Sequence, residues 1–168
     1  MATPRRAPYP ITGFLAIGPC RGAGGPSVDS LAKLGFRHII DLNVDPSERS
    51  LSRKAGVSYH PVRTIDEYSF DSWMGIVREA VRIIARAERR REKVYLHCTY
   101  GYGRSPTIAM AYLVTKDWAA KSAIEHVKKR ARHVWCKGNP VLKYERIVKA
   151  FAGPASVRRK DAVDPSSR

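Results

Sequence analysis

The chain has 168 residues, 43% of them hydrophobic, and a formal net charge of +16 from 31 Lys+Arg against 15 Asp+Glu. That size and apolar content fit one globular domain with room for a core, and no run approaches the roughly 18–20 apolar residues of a membrane span. The charge predicts attraction to something acidic, whether a phosphorylated substrate, nucleic acid or an anionic membrane surface, although basic residues near helix ends also have a structural reason to be there.

Residues 1–10 are basic and proline-rich, with no apolar stretch of signal-peptide length behind them, so a flexible N-terminal tail is expected. Residues 11–17 read as a first strand and 18–26 as a glycine-bearing connection without the Gly-x-Gly-x-x-Gly order of a nucleotide loop. Ser27 is placed to cap a short helix carrying Leu31 and Leu34, which Gly35 ends. A second strand covers 36–43, and Asp41 lies inside its pattern, which argues for a structural acid. A short helix from Pro46 through Lys54 stops before Gly56, and residues 57–62 form a third strand.

The polar segment 63–72 holds three acids, Asp66, Glu67 and Asp71. Asp71 stands directly before a long helix over 72–91, whose apolar residues repeat at helical spacing, so capping is its ordinary job. A strand over 93–98 and a helix over 104–115 follow, the helix apolar on nearly every turn with Pro106 at its start. Residues 119–132 form an amphipathic helix. His126 and His133 lie on or beside it and read as surface or cap residues, since no acid or thiol is spaced to join them on a metal. Asn139 and Pro140 open a last helix that runs to Phe151, and residues 153–168 are a second basic tail expected to be flexible. The folded unit is thus a single domain over 11–152. The alternation of strands and helices predicts an α/β fold with a central, mainly parallel sheet of about four to five strands flanked by helices.

Cys20, Cys98 and Cys136 share no disulfide or zinc spacing, which points to a reducing, cytoplasmic setting. One of them organises the rest. In His97-Cys98-Thr99-Tyr100-Gly101-Tyr102-Gly103-Arg104-Ser105 a cysteine sits where a strand stops and an arginine where a helix starts. The first amides of a helix lack partners within it, and its dipole puts partial positive charge there. A glycine-containing loop feeding that end can turn its own amides inward as an anion nest. Arg104 adds a planar fork that suits two phosphate oxygens. Positive potential around Cys98 favours the thiolate, a nucleophile aimed at phosphorus.

His97-Cys98-x5-Arg104-Ser105 resembles the signature loop of the cysteine-based protein tyrosine phosphatases, in particular the dual-specificity phosphatase branch. The likeness extends over roughly residues 11–151, but only the loop is highly specific. It implies hydrolysis of phosphomonoesters through a cysteinyl-phosphate, with Cys98 as nucleophile. Arg104 and the amides of Thr99, Tyr100, Gly101, Tyr102 and Gly103 would bind the phosphate. Ser105 would hydrogen-bond the thiolate, and His97 would steady the loop through a backbone hydrogen bond. Among the acids, the family's placement favours Asp66 as the proton donor to the leaving group, ahead of Asp71 and Glu67. Asn139 matches only weakly an amide residue that faces the site in this family. The resemblance implies no metal and no cofactor, because arginine and amides take the place of magnesium.

Substrate is less constrained. Tyr100 and Tyr102 occupy loop positions where phosphoinositide-directed relatives tend to carry lysines. A shallow pocket for phosphotyrosine and phosphoserine/threonine on proteins is the first expectation. RNA 5′-phosphatase or triphosphatase activity and phosphatidyl-type phospholipid phosphatase activity are the alternatives within the fold. A phospho-binding pseudophosphatase is the non-enzymatic one.

Overall fold

The computed structural model of the chain describes residues 7–64, 69–131 and 142–156. Its strands are Tyr9–Pro10 (β1), Leu15–Pro19 (β2), Phe36–Asp41 (β3), Ser58–Pro61 (β4) and Lys93–Cys98 (β5). Its α-helices are Val28–Lys33 (α1), Pro46–Lys54 (α2), Phe70–Arg89 (α3), Arg104–Thr115 (α4), Ala120–Arg130 (α5) and Leu142–Ser156 (α6), with one 3-10 turn at Arg21–Ala23.

The five strands form one sheet in the order β1-β2-β5-β3-β4. Only β1 runs antiparallel, so the carboxyl ends of β2, β5, β3 and β4 line up along one edge. Strand β5 is central, and its alternation sorts two cores. Val94, Leu96 and Cys98 face the larger core with Val77, Ala80 and Ile84 of α3, Ile108 and Leu113 of α4, Val127 of α5 and Val148 of α6. Tyr95 faces the smaller core with Ala16, Phe36 and Ile39, where Val28 and Leu31 of α1 and Leu51 of α2 pack. Each fully buried aliphatic chain contributes about 1.5–3 kcal/mol. The helix that is apolar all round, α4, is buried all round, from Ser105 through Val114.

Several boundaries shift by a residue or two, β3 and β4 for example ending at Asp41 and Pro61 instead of 43 and 62, and three further differences follow. The strand expected over 11–17 is two strands. Thr12 Oγ1 accepts from the amides of Phe14 (3.3 Å) and Leu15 (3.0 Å), and Ile11 N donates to Leu15 O at 2.8 Å, which closes a tight turn between β1 and β2. Gly18 and Pro19, expected in a loop, therefore belong to β2, and Tyr9, expected in the tail, is buried in the larger core. Helix α3 starts earlier than 72 because Ser69, not Asp71, caps it: Ser69 Oγ accepts from Ser72 N at 3.3 Å. Asp71 sits exposed in the first turn, where its charge complements the dipole. Helix α6 reaches Ser156, past the expected end of the domain. Asn139, His133 and Cys136 lie outside the described residues.

Candidate active site

The central strand β5 delivers Cys98 to the aligned carboxyl edge, the place where open α/β sheets bind ligands. Cys98 is 3% exposed. The chain then crosses 99–103 and enters α4 at Arg104. The crossing is tight. Gly101 has φ 75°, and a Cβ there would lie 2.8 Å from the carbonyl carbon of Gly18 in β2, so the loop can press on β2 only with glycine at this position. The α4 N-cap is Gly103, which brings no side chain to the helix start. The anion-attracting end of the helix is thus left to whatever the loop encloses.

The side chains of the motif fall as follows. Ser105 is buried and its Oγ lies 3.4 Å from Cys98 Sγ. Arg104 is half-buried, and each terminal nitrogen of its guanidinium makes a 2.8 Å hydrogen bond, Nη1 to Thr64 Oγ1 and Nη2 to Thr99 Oγ1. Tyr100 stands out at 62% exposure, its ring 5.9 Å from that of the half-buried Tyr102. These two rings form a rim beside the loop. Asp66 and Glu67 lie outside the described residues, which resume at Ser69.

His97 is buried but does not bond backbone as expected. Its Nε2 donates to Glu48 Oε2 on α2 at 2.7 Å, and its Nδ1 faces Asp41 Oδ1 at 3.8 Å. Asp41 is the structural acid its strand position suggested. One oxygen accepts from Asn43 N and the other from Asp45 N and the Tyr59 hydroxyl, all at 2.7 Å. Those bonds fix the turn after β3, where Val44 holds φ 61°. They also explain Tyr59, whose hydroxyl burial and the Asp41 carboxylate hold protonated far above the ordinary phenol range. Asp41, Glu48 and His97 bring metal-ligand atoms within 4.8 Å of one another. The Nε2 of His97 and both Asp41 oxygens are already engaged in hydrogen bonds, whereas the buried His97 Nδ1 makes none. His126, expected at the surface or a cap, is half-buried with Nε2 bonded to Ile11 O at 2.8 Å.

Three residues at the site went unnoticed in the sequence: Asn43, Glu48 and Thr64. Asn43 Oδ1 accepts from the Thr99 hydroxyl at 3.0 Å, and the Thr64 hydroxyl donates to Leu42 O at 2.9 Å. One signal was available. Asn43 and Thr64 lie just past the carboxyl ends of β3, which pairs with the cysteine strand, and of β4, which pairs with β3, on the edge where such sheets place their chemistry.

Known proteins resemble this chain in sequence and in fold. The human dual specificity protein phosphatase 9 is 30% identical over 132 residues, 77% of this chain and 33% of that protein. An Arabidopsis thaliana phosphatidylglycerophosphate phosphatase, PTPMT1, is 33% identical over 105 residues, 60% of this chain and 31% of that protein. The chain thus spans about a third of the length of these curated relatives. Among solved structures, a mutant form of Tk-PTP superposes with a TM-score of 0.68 at 22% identity, covering 88% of this chain and 95% of that one, a likeness of fold. No helix among the described residues is long and apolar enough to cross a membrane. Residues 22–141 match the family model of the dual specificity phosphatase catalytic domain, and the chain belongs to that family of cysteine-dependent phosphatases.

Proposed function

We propose that the chain hydrolyses phosphomonoesters on proteins, phosphotyrosine and phosphoserine/threonine alike, through a cysteinyl-phosphate on Cys98. The observation that carries this reading is the placement of a buried thiol at the mouth of a helix N-terminus, 3.4 Å from Ser105 Oγ, with Arg104 opening the helix. Arg104 and the amides of the 99–103 loop hold the phosphate oxygens. The Cys98 thiolate attacks phosphorus, the S–P bond forms, and the ester P–O bond breaks. Asp66 gives its proton to the departing oxygen. Asp66 as carboxylate then takes a proton from water, which attacks phosphorus and releases phosphate. Cys98 leaves as thiolate, with the Ser105 hydroxyl donating to it. A reducing compartment such as the cytoplasm suits a thiol that must stay reduced.

A phospholipid phosphomonoester is the second reading, supported by the likeness to the Arabidopsis phosphatidylglycerophosphate phosphatase and by the net charge of +16. The aromatic rim at Tyr100 and Tyr102 supports the protein reading instead. Phosphate release from a small aryl phosphate tests the chemistry. Wild type turns over, Cys98→Ser is inactive, and Asp66→Ala is slowed about a hundredfold. Inert wild type on aryl phosphate, phosphopeptides, 5′-phosphorylated RNA and phosphatidylglycerophosphate sinks the enzyme reading. Turnover confined to the lipid or to RNA sinks the protein-substrate reading.

A further inference from the structure

We infer that Thr64 and Asn43 are positioning residues for Arg104, holding its guanidinium in the attitude in which it meets an oxyanion; this rests on the reading of Arg104 as the anion clamp. The argument starts from proton counting. A threonine hydroxyl has a single proton and two lone pairs. The Thr64 proton goes to Leu42 O (2.9 Å) and the Thr99 proton to Asn43 Oδ1 (3.0 Å). Each hydroxyl therefore meets Arg104 with a lone pair only, and each accepts from one terminal nitrogen at 2.8 Å. A hydroxyl with a free proton can rotate it toward a cation; these cannot.

The acceptors behind the hydroxyls are themselves fixed. Leu42 sits at the carboxyl end of β3, its N donating to His97 O at 3.0 Å while its O also accepts from Thr64 N at 3.2 Å. Asn43 is tied by its backbone N–H, which donates to the buried Asp41 carboxylate at 2.7 Å. Arg104 is thus gripped on two sides, by Thr64 after β4 and by Thr99 in the loop after β5, and Thr99 is itself held by Asn43 after β3. One N–H of each terminal nitrogen is engaged, and the guanidinium still has N–H groups left for a ligand. A long, rotamer-rich side chain held this way loses little further freedom when an anion arrives, which is the condition for strong electrostatic stabilisation.

Thr64 and Asn43 act through Arg104, so the test must read the anion grip separately from general integrity. Alkylation of Cys98 does so in the full chain, followed at the Cys98 peptide by mass spectrometry. Iodoacetate is an anion that Arg104 attracts; iodoacetamide is its neutral counterpart. Wild type reacts faster with iodoacetate. Thr64→Val and Asn43→Leu each lower the iodoacetate-to-iodoacetamide rate ratio about fivefold, the size of one net hydrogen bond. The iodoacetamide rate stays unchanged, and Thr64→Ser, which keeps the hydroxyl, keeps the ratio. An unchanged ratio in both variants overturns the inference. So does a parallel fall of both rates, which marks damage to the whole loop, and so does a wild type indifferent to the charge of the reagent. Wild type that shows the ratio but releases no phosphate from any ester sinks the phosphatase reading and leaves this one standing.

Discussion

His97 Nε2 and Glu48 Oε2 meet at 2.7 Å with side chains only 1% and 6% exposed, so the residue preceding the candidate nucleophile is fastened to a helix on the other side of the sheet. The bond ties the end of β5 to α2 and fixes the direction in which the chain leaves toward Thr99. Removing one partner of such a pair strands the other in a site closed to water. Glu48→Ala is expected to lower stability by about 3 kcal/mol. For a domain of this size that corresponds to a melting temperature lower by about 6–12 °C. Glu48→Gln keeps an acceptor for His97 and loses less. Thermal melting followed by circular dichroism checks this, and a Glu48→Ala variant that melts with wild type removes the pair from the stability account.

A second histidine cluster sets a pH dependence. His38 Nδ1 and His60 Nε2 are 3.0 Å apart, and His38 Nε2 is 2.6 Å from Glu92 Oε2. Burial first, then the neighbouring His38 and Arg86, push the His60 pKa below its ordinary 6.5. The unfolded chain then binds a proton here more readily than the folded one, so folding stability from this group is present above that ordinary value and is lost as pH falls through the depressed one. Glu92 has the same sign further down. Its hydrogen bond to His38 lowers its pKa below the ordinary 4.5, and that contribution also fades on acidification. Urea denaturation midpoints measured between about pH 7.5 and 5.5, which brackets the ordinary histidine range, are expected to fall with pH. His60→Gln flattens that dependence. A variant as pH-sensitive as wild type assigns it elsewhere.

Much of the site was legible because it is local. The cysteine, the loop glycines and the arginine lie within one short stretch, and the strand before and helix after carry unambiguous apolar patterns. What stayed hidden is tertiary. Thr64 reaches Arg104 across 40 positions of sequence, Asn43 reaches Thr99 across 56, and Glu48 reaches His97 across 49. No spacing rule connects such residues; only the order of the parallel strands does. The break between β1 and β2 was missed for another reason. Apolar residues on both sides of Thr12 and Gly13 suggested continuity, while the Thr12 hydroxyl bonded the amides that follow it and turned the chain.

The close approach of Gly101 to β2 separates backbone strain from a loss of site geometry. Gly101→Ala meets the carbonyl carbon of Gly18 at 2.8 Å in addition to an unfavourable φ of 75°. The 99–103 loop must shift to relieve this, and displacement of about 1 Å at a catalytic constellation costs about a hundredfold in rate. Gly56→Ala is the control. It has φ 66° but nothing within 4 Å of the added carbon, so it is expected to cost stability alone. Turnover and melting temperature measured on both variants check the contrast, which fails if Gly101→Ala retains wild-type turnover.

The rim makes a prediction about substrate. Tyr100 is 62% exposed, and its ring is 5.9 Å from Tyr102 at a 34° tilt, a wall on which a second aromatic ring can lie. A phosphotyrosine ring gains from that surface; a phosphoserine side chain has no ring to offer. An aromatic pair adds about 0.5–1.5 kcal/mol beyond burial, roughly two- to tenfold in binding. Tyr100→Ala should therefore raise KM for a phosphotyrosine peptide by that factor while leaving the phosphoserine peptide of the same sequence unchanged. Tyr100→Phe, which keeps the ring, should behave as wild type on both. Steady-state kinetics on the matched peptides decide it. An equal loss on the two substrates would mean that Tyr100 shapes the loop itself, and selectivity between them would then have to come from another part of the site.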